Sequence, residues 1–574
     1  MMRSQQWFVR DDLAGFLHRS SLAATGLSRH VLDGRPVIGI CNSWSDLVSC
    51  NFHLRGVTDA VRRGVARAGG IAVELSTMSL GEALMKPTTM LYRNLVAMEV
   101  EESIRAYPID AVVLLGGCDK TMPAQLMGAA GADVPAIALP SGPADPAVFR
   151  GRELGVGTDL WSYVDELRAG RMSRSDFDEL EAASVPSAGH CPELGTASTM
   201  AALTEALGMA LPGSATVPAT HARRHAFGEA TGERAVALAR NGPRPSQILT
   251  PAAFDNAITT LMAIGGSTNA VVHLLAIARR AGVELSLDRF DEIAARTPLI
   301  TNLRPSGEEL FVRLNAVGGI PAVLDRLSPL LDTSALTVTS ASLAAGTRPA
   351  PVEDAVLSTL DEPFAPSGGI AVLRGNLAPD GALIKTSAAT PELLRHRGPA
   401  LVFDDHHELS HRIDDPDLDV TPDTVLVLRN AGPIGGPGMP EWGALPLPEK
   451  LLRQGVTDMV RVSDARMSGT AFGTVAVHVA PEAAAGGPLS KLRTGDPVVL
   501  DVEHRRLAVD IPDEEFLRRA PSTRQSPRPR GYLRLVNEHI TQADRGCDFD
   551  FMTDGGPAPD LAPRSIPAGW HGGW

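Results

Sequence analysis

The stretch PVIGICNSWSDLVSCNFHLRGVTDAVRRGVARAGGIAVEL, residues 36–75, sets the architecture of the first half of the chain. PVIGIC (36–41) has the length and composition of a buried strand. RGVTDAVRRGVARAGG (55–70) repeats its apolar residues at helical spacing and stops at a glycine pair, a common helix end. IAVEL (71–75) is the next strand-like run. The same rhythm continues outward: a helix around 90–106, the strand AVVLLG (111–116), a helix after Met122-Pro123, and the strand PAIAL (135–139). Alternating β and α segments predict a parallel sheet with helices on both faces, because parallel neighbours need a crossover connection. Residues 200–330 are rich in Ala and Leu and read as mostly helical.

From about residue 365 the pattern changes. GGIAVLRG, ALIKTS, ALVFDD, TVLVLRN, MVRVSD, TVAVHV, PVVLDV and RRLAVDI are short β-like runs separated by Gly, Pro and Asp. That spacing predicts a β-barrel or sandwich-like second domain. The expected fold is therefore α/β: a three-layer N-terminal α/β domain with a parallel sheet over 1–365, and a C-terminal β-barrel-like domain over 366–574. The Pro- and Gly-rich segment 342–369 marks the boundary. The Gly/Pro-rich tail 562–574 reads either as disordered or as packed on a neighbour. No internal repeat is visible.

Composition narrows the function classes. The chain has 574 residues and a net charge of −14, which argues against a nucleic-acid partner held by a basic face. Aromatics make up 4%, too few for base stacking to be the main business. The start, MMRSQQWFVRDD, has no apolar core of a secretory signal. The longest apolar runs fall far short of the ~18 residues a membrane span needs. A cytoplasmic location and no membrane partner are the expectations. Only five lysines occur (Lys86, Lys120, Lys385, Lys450, Lys491), against 48 arginines. Five cysteines (Cys41, Cys50, Cys118, Cys191, Cys547) are too few and too scattered for a disulfide framework.

Glycine-rich segments such as IGGSTN (264–269) and GGPGMPE (435–441) match no phosphate-binding loop and read as tight turns. The cysteines carry more. Cys118 follows the strand AVVLLGG, and ligand sites in doubly wound folds gather at the carboxyl ends of parallel strands. Any one cysteine alone reads as a small buried hydrophobe. Cys50, Cys118 and Cys191, on three polar loops, are too widely spaced for a zinc ribbon but could converge on an iron–sulfur cluster. Beside Cys118 stand Asp119 and Lys120, read either as a surface ion pair or as a hard-metal site beside a soft one. Glu82 in LGEALMKP and Glu441 in GMPEW supply further oxygens in glycine-bounded loops. Ser468 in SDARMSGTA is a candidate nucleophile or base, although no nucleophile-elbow motif surrounds it.

Together GICNSW…SCN, MSLGEALMKPTTMLYRN, GGCDKTMPA, GHCPELGTASTM, AIGGSTNAVVHL, GGIAVLRGNLAPDGALIKTS, GPGMPE and SDARMSGTA resemble the dihydroxy-acid dehydratase / sugar-acid dehydratase family, in order, over about residues 10–555. The resemblance implies an α/β domain followed by a β-barrel-like domain, an active site between them, and a homodimer or homotetramer. It implies that Cys50, Cys118 and Cys191 hold the cluster. It implies Glu82, Asp119 and Glu441 as Mg²⁺ ligands, and Lys120 as a carbamylated lysine reaching the same ion. Ser468 is implied as the base, acting as an alkoxide, with Thr470 close to a small-molecule hydroxy-acid substrate. The chemistry agrees. Dehydrating a 2,3-dihydroxy acid means removing a weakly acidic C2 proton and expelling a poor leaving group from C3, which metals acting as Lewis acids assist.

Members with Gly at the position of Cys50 resemble [4Fe–4S] enzymes, so Cys50 points to a [2Fe–2S] cluster. GEALMKPTTMLYRN, RIDDPDLDV (412–420) and ITQADRGCDFDF (540–551) resemble sugar-acid dehydratases, closest to the pentonate branch. The expected reaction takes a pentonate or hexonate to a 2-keto-3-deoxy acid. Two alternatives stay open: a dihydroxy-acid dehydratase of branched-chain amino-acid synthesis, and a non-catalytic iron–sulfur electron-transfer or sensor protein. Cys547, Trp442 and the His-rich segment DDHHELSHR (404–412) depart from the family pattern. Cys547 reads as a spare thiol, the His-rich segment as a solvated loop, and both that segment and Trp442 as possible parts of the site entrance.

Overall fold

The structure is a computed structural model that describes residues 2–32, 34–349, 355–522 and 529–553. The tail 562–574, singled out above, lies outside the described residues. The first unit is built on four parallel strands: β1 (Val37–Asn42), β2 (Ile71–Ser76), β3 (Ala111–Gly116) and β4 (Ala136–Pro140), in the order β2-β1-β3-β4. Every residue of β1, β3 and β4 is buried. Successive side chains point to opposite faces of a sheet, so strands buried throughout must be covered on both sides. The cover comes from the helix pairs Leu54–Arg67 with Arg223–Asn241 and Met90–Ala106 with Thr121–Ala132. The edge strand β2 is only partly buried. A short hairpin, β5 (Ala147–Phe149) and β6 (Arg152–Leu154), follows the sheet. Residues 200–330 are predominantly helical.

The eight β-like runs of the second half become eight strands: β7 (Ala371–Gly375), β8 (Ala378–Ile384), β9 (Arg395–Phe403), β10 (Val425–Leu428), β11 (Arg461–Ser463), β12 (Val475–Ala480), β13 (Pro497–Asp501) and β14 (Arg506–Val509). They close into a barrel in the order β10-β11-β12-β8-β7-β14-β13-β9. The period-2 alternation assigns each side chain to a layer. Ala400, Val402, Val425 and Val427 fill the barrel, while Leu401, Phe403, Leu426 and Leu428 pack outside it. The outward residues of neighbouring strands do different work. Val372, Leu383, Val475 and Val477 join the core of the first unit. Each such buried side chain contributes roughly 1.5–3 kcal/mol, and together they fix the barrel against the sheet unit.

The chain then returns to the first unit. Val536 and Phe549 pack on Leu91 of the helix Met90–Ala106. Arg280 forms a buried ion pair with Glu101 at 2.9 Å and another with Asp548 at 2.6 Å. Arg93, fully buried, donates to the carbonyls of Gly546 at 2.9 Å and Cys547 at 2.7 Å. No helix among the described residues is long and apolar enough to cross a membrane.

Candidate active site

Loops at the carboxyl ends of β1 and β3 meet the loops of the barrel around a cavity of about 480 Å³. Its lining includes Cys50, Cys118, Cys191, Glu82, Asp119, Glu441, Ser468 and Thr470. Cys50 lies in the segment after β1, and Cys118 directly after β3. The GGC turn has no room for a larger residue: a Cβ on Gly117 would stand 1.6 Å from Ser141 Oγ. Cys191 precedes the helix Thr196–Ala206 and is accessible through the cavity.

Interaction with the Cys118 thiol draws Cys50 below the usual thiol range, while the Cys50 thiol and burial push Cys118, whose Sγ donates to Asp119 Oδ1 at 3.4 Å, above it. Cys191, accessible but surrounded by protein, is pushed well up by desolvation. The remaining cysteines, Cys41 and Cys547, are buried away from this lining, and burial pushes each thiol up to about 12.

Beneath the cysteines Lys120 is fully buried. Its Nζ contacts Asp119, and lies 3.1 Å from Glu82 Oε2 and 3.2 Å from Glu441 Oε1. Burial and the neighbouring Arg466 push the amine down, but the three carboxylates outweigh them and hold it above the ordinary lysine value. Desolvation raises the Asp119 carboxyl. Glu82 is also desolvated, yet Lys120, Arg466 and the hydroxyls of Thr89 and Thr88 bring it down to about 2. Three thiols beside three carboxylates make a soft donor set next to a hard one, which fits a thiolate-bound cluster beside an oxygen-bound dication. Among the described residues no three His, Cys, Asp or Glu side chains are drawn together tightly enough to hold a metal ion as they stand. The Lys120 ammonium instead links the carboxylates.

Two supporting residues escaped the sequence reading. Glu441 Oε1 accepts from Asn269 Nδ2 at 2.7 Å and from Arg466 Nη1 at 2.8 Å. Arg466 is fully buried and also donates to the Met439 carbonyl at 2.7 Å and to Thr88 Oγ1 at 3.1 Å. It thereby ties the Glu82 loop to the Glu441 loop. Asn269 ends a stretch read as a glycine turn, and Arg466 lies inside SDARMSGTA, two residues before Ser468. Ser468 Oγ is 2.8 Å from Thr470 Oγ1 and accepts from the Thr470 amide at 3.3 Å.

At the rim, the His-rich segment is not a loop. His406–Arg412 is a helix, capped by Asp405, whose carboxylate accepts from the amides of His407 and Glu408. His406 stacks on Trp442 with ring centroids 3.8 Å apart, and Trp442 lines the cavity.

Two family profiles match the chain: dihydroxy-acid/6-phosphogluconate dehydratase N-terminal over residues 35–346, and the C-terminal counterpart over residues 355–547. An L-arabonate dehydratase of Azospirillum brasilense is 50% identical over 563 residues, covering 96% of this chain and 97% of that protein. A 6-deoxy-6-sulfo-D-gluconate dehydratase of Pseudomonas putida is 47% identical over 565 residues, covering 97% and 98%. A dihydroxy-acid dehydratase of Ignicoccus hospitalis is 39% identical over 562 residues, covering 96% and 100%. The chain belongs to the dihydroxy-acid/6-phosphogluconate dehydratase family and is a dehydratase, a hydro-lyase. The electron-transfer or sensor alternative gives way to that membership.

Proposed function

We propose that this dehydratase acts on a sugar acid, a pentonate or hexonate carrying hydroxyls at C2 and C3, and converts it to a 2-keto-3-deoxy acid. The observation that carries the reading is the meeting of Cys50, Cys118, Cys191, the Glu82–Asp119–Glu441 carboxylates and Ser468 on one cavity. The names of relatives near 50% identity support a sugar acid over a branched-chain precursor, whose dehydratases match at 39%.

In this reading Cys50, Cys118 and Cys191 hold a [2Fe–2S] cluster. Glu82, Asp119 and Glu441 hold Mg²⁺, joined by Lys120 as a carbamate. The chemistry such groups supply when bound is Lewis acidity, which eases departure of the C3 hydroxyl and stabilises negative charge developing at C2. Ser468 takes the C2 proton as an alkoxide, and Thr470, whose hydroxyl lies 2.8 Å away, orients it and borders the substrate. The enol left after loss of water tautomerises to the keto acid. Carbamylation adds carbon dioxide to the neutral amine and releases a proton, so it follows loss of the proton that three carboxylates hold on Lys120. Lys120 would give up that proton more readily with its three carboxylates facing a dication. We place the enzyme in the cytoplasm as a homodimer or homotetramer.

The test is a panel of aldonates against 2,3-dihydroxyisovalerate, with cluster-reconstituted protein and Mg²⁺, reading 2-keto acid formation. We expect turnover of at least one aldonate to exceed that of dihydroxyisovalerate by about tenfold or more. Equal or better turnover of dihydroxyisovalerate overturns the sugar-acid reading.

A further inference from the structure

Lys385 is fully buried, and the mechanism above gives it no task. It follows β8, and its Nζ lies 3.4 Å from the carbonyl oxygen of Gly469. That carbonyl belongs to the peptide whose N–H, on Thr470, donates to Ser468 Oγ at 3.3 Å. One planar peptide thus joins the amine to the serine. The amine donates to its oxygen, and its nitrogen donates to the hydroxyl. The peptide is closely held, since a Cβ on Gly469 would stand 2.6 Å from Ser267 Oγ and 2.8 Å from the Thr196 nitrogen. Drawing electron density toward the carbonyl oxygen strengthens the C–N double-bond character and makes the N–H a better donor. A better donor stabilises an oxyanion more than a neutral hydroxyl.

We infer that Lys385 is a positioning residue that acts through the Gly469–Thr470 peptide to favour the ionised form of Ser468. The inference rests on Ser468 serving as the base.

The electrostatic setting supports it. Burial alone acts on the Lys385 amine and brings it down to about 7, with no carboxylate in ion-pair contact among the described residues. Of the charged and titratable groups nearby, Asp291 pairs with Arg505, Asp458 with Arg461 and Arg466 with Glu441; Glu193, pushed up to about 7 by burial, accepts from the Gly157 amide at 2.6 Å, and His478 of β12 is pushed down to about 3 by burial. Asp464 accepts from the amides of Asn430 and Ala431. At about 7 this buried amine is only partly protonated near neutral pH, and an anion forming nearby favours its ammonium form. Ionisation of Ser468 supplies that anion.

The experiment compares kcat and KM from about pH 6 to about pH 10 for the wild type, Lys385→Met, Lys385→Arg and Ser468→Ala. All are full-length, cluster-loaded and supplied with Mg²⁺, with thermal unfolding and cluster absorbance recorded for each. We expect Lys385→Met to lower kcat about tenfold near neutral pH and to change KM less than about threefold. We expect it to move the rising limb of the pH profile up by about one unit, while Lys385→Arg keeps the limb near or below its wild-type position. A folded, cluster-bearing Lys385→Met with an unmoved limb, or with the same loss at every pH, overturns the inference. If Lys385→Met does not fold, Lys385→Arg decides: a limb moved up overturns the inference, and one near or below its wild-type position supports it. An active Ser468→Ala removes the serine reading itself, whereas an inactive Ser468→Ala beside an unaltered Lys385→Met profile removes only the role of the lysine.

Discussion

Two lysines, Lys120 and Lys385, are fully buried, and their surroundings are opposite. Lys120 is ringed by Asp119, Glu82 and Glu441, and its proton is held more firmly than in water. Lys385 meets one carbonyl, and its amine falls to about 7. Burial is common to both, so it does not decide the charge. The anions that the fold brings alongside decide it. The contrast also separates two kinds of cost. Around Lys120 the expense is three desolvated carboxylates that need a cation. At Lys385 it is a cation site with no anion.

The largest effect should come from Lys120→Arg. It keeps a positive charge but cannot be carbamylated, and we expect kcat/KM with saturating Mg²⁺ to fall about a thousandfold or more. Full activity would reduce Lys120 to a plain counter-charge. Next is Lys120→Met, which leaves three carboxylates facing one another. We expect a loss of about 3–5 kcal/mol in urea unfolding at neutral pH, and a loss below about 1 kcal/mol would break the contrast.

Lys385→Met should move stability the other way. The native amine near 7 lies below the ordinary lysine value of 10.5. Between these values the unfolded chain holds more protons, so this group's contribution to stability rises with pH through that window and its cost is greatest below it. The methionine variant should therefore be more stable than wild type by on the order of 1–3 kcal/mol near pH 6 to 7, with the gap closing toward pH 10. A constant gap across that range would mean that no buried amine titrates there. The smallest effect is expected from His406→Ala, at the rim of the cavity. Losing the stack on Trp442 should raise KM a few-fold, about 0.5–1.5 kcal/mol, without moving the pH profile. A displaced profile would tie the rim to the buried charges.

Much of this was legible in the sequence. The eight apolar runs after residue 365 are the eight barrel strands, because alternation and turn residues are local signals. Their order around the barrel is only partly local: the two-residue connection announces the β7–β8 hairpin, but nothing in ALIKTS announces β12 on its other side. In the site, cysteines and a lysine stood out because they are scarce. Arg466 did not, being one of 48 arginines, and only its burial between two carboxylate-bearing loops reveals its work. Asn269 was hidden by the glycines before it. The helix His406–Arg412 carries its own start signature, Asp405 with Glu408 three residues on, although its three histidines and flanking aspartates give the segment the composition of a loop.

The return of the chain across the first unit bears on how the protein is made. Arg93 and Arg280 are buried cations whose partners include Gly546, Cys547 and Asp548. During synthesis those partners emerge only after more than 260 residues have followed Arg280. Until then the sheet unit carries two guanidinium groups without part of their hydrogen-bonding shell, a deficit of several kcal/mol. A chain cut short before residue 546 never makes good that deficit. The helical cover is therefore completed only when residues 546–548 are present, and a product truncated before them is the less stable one.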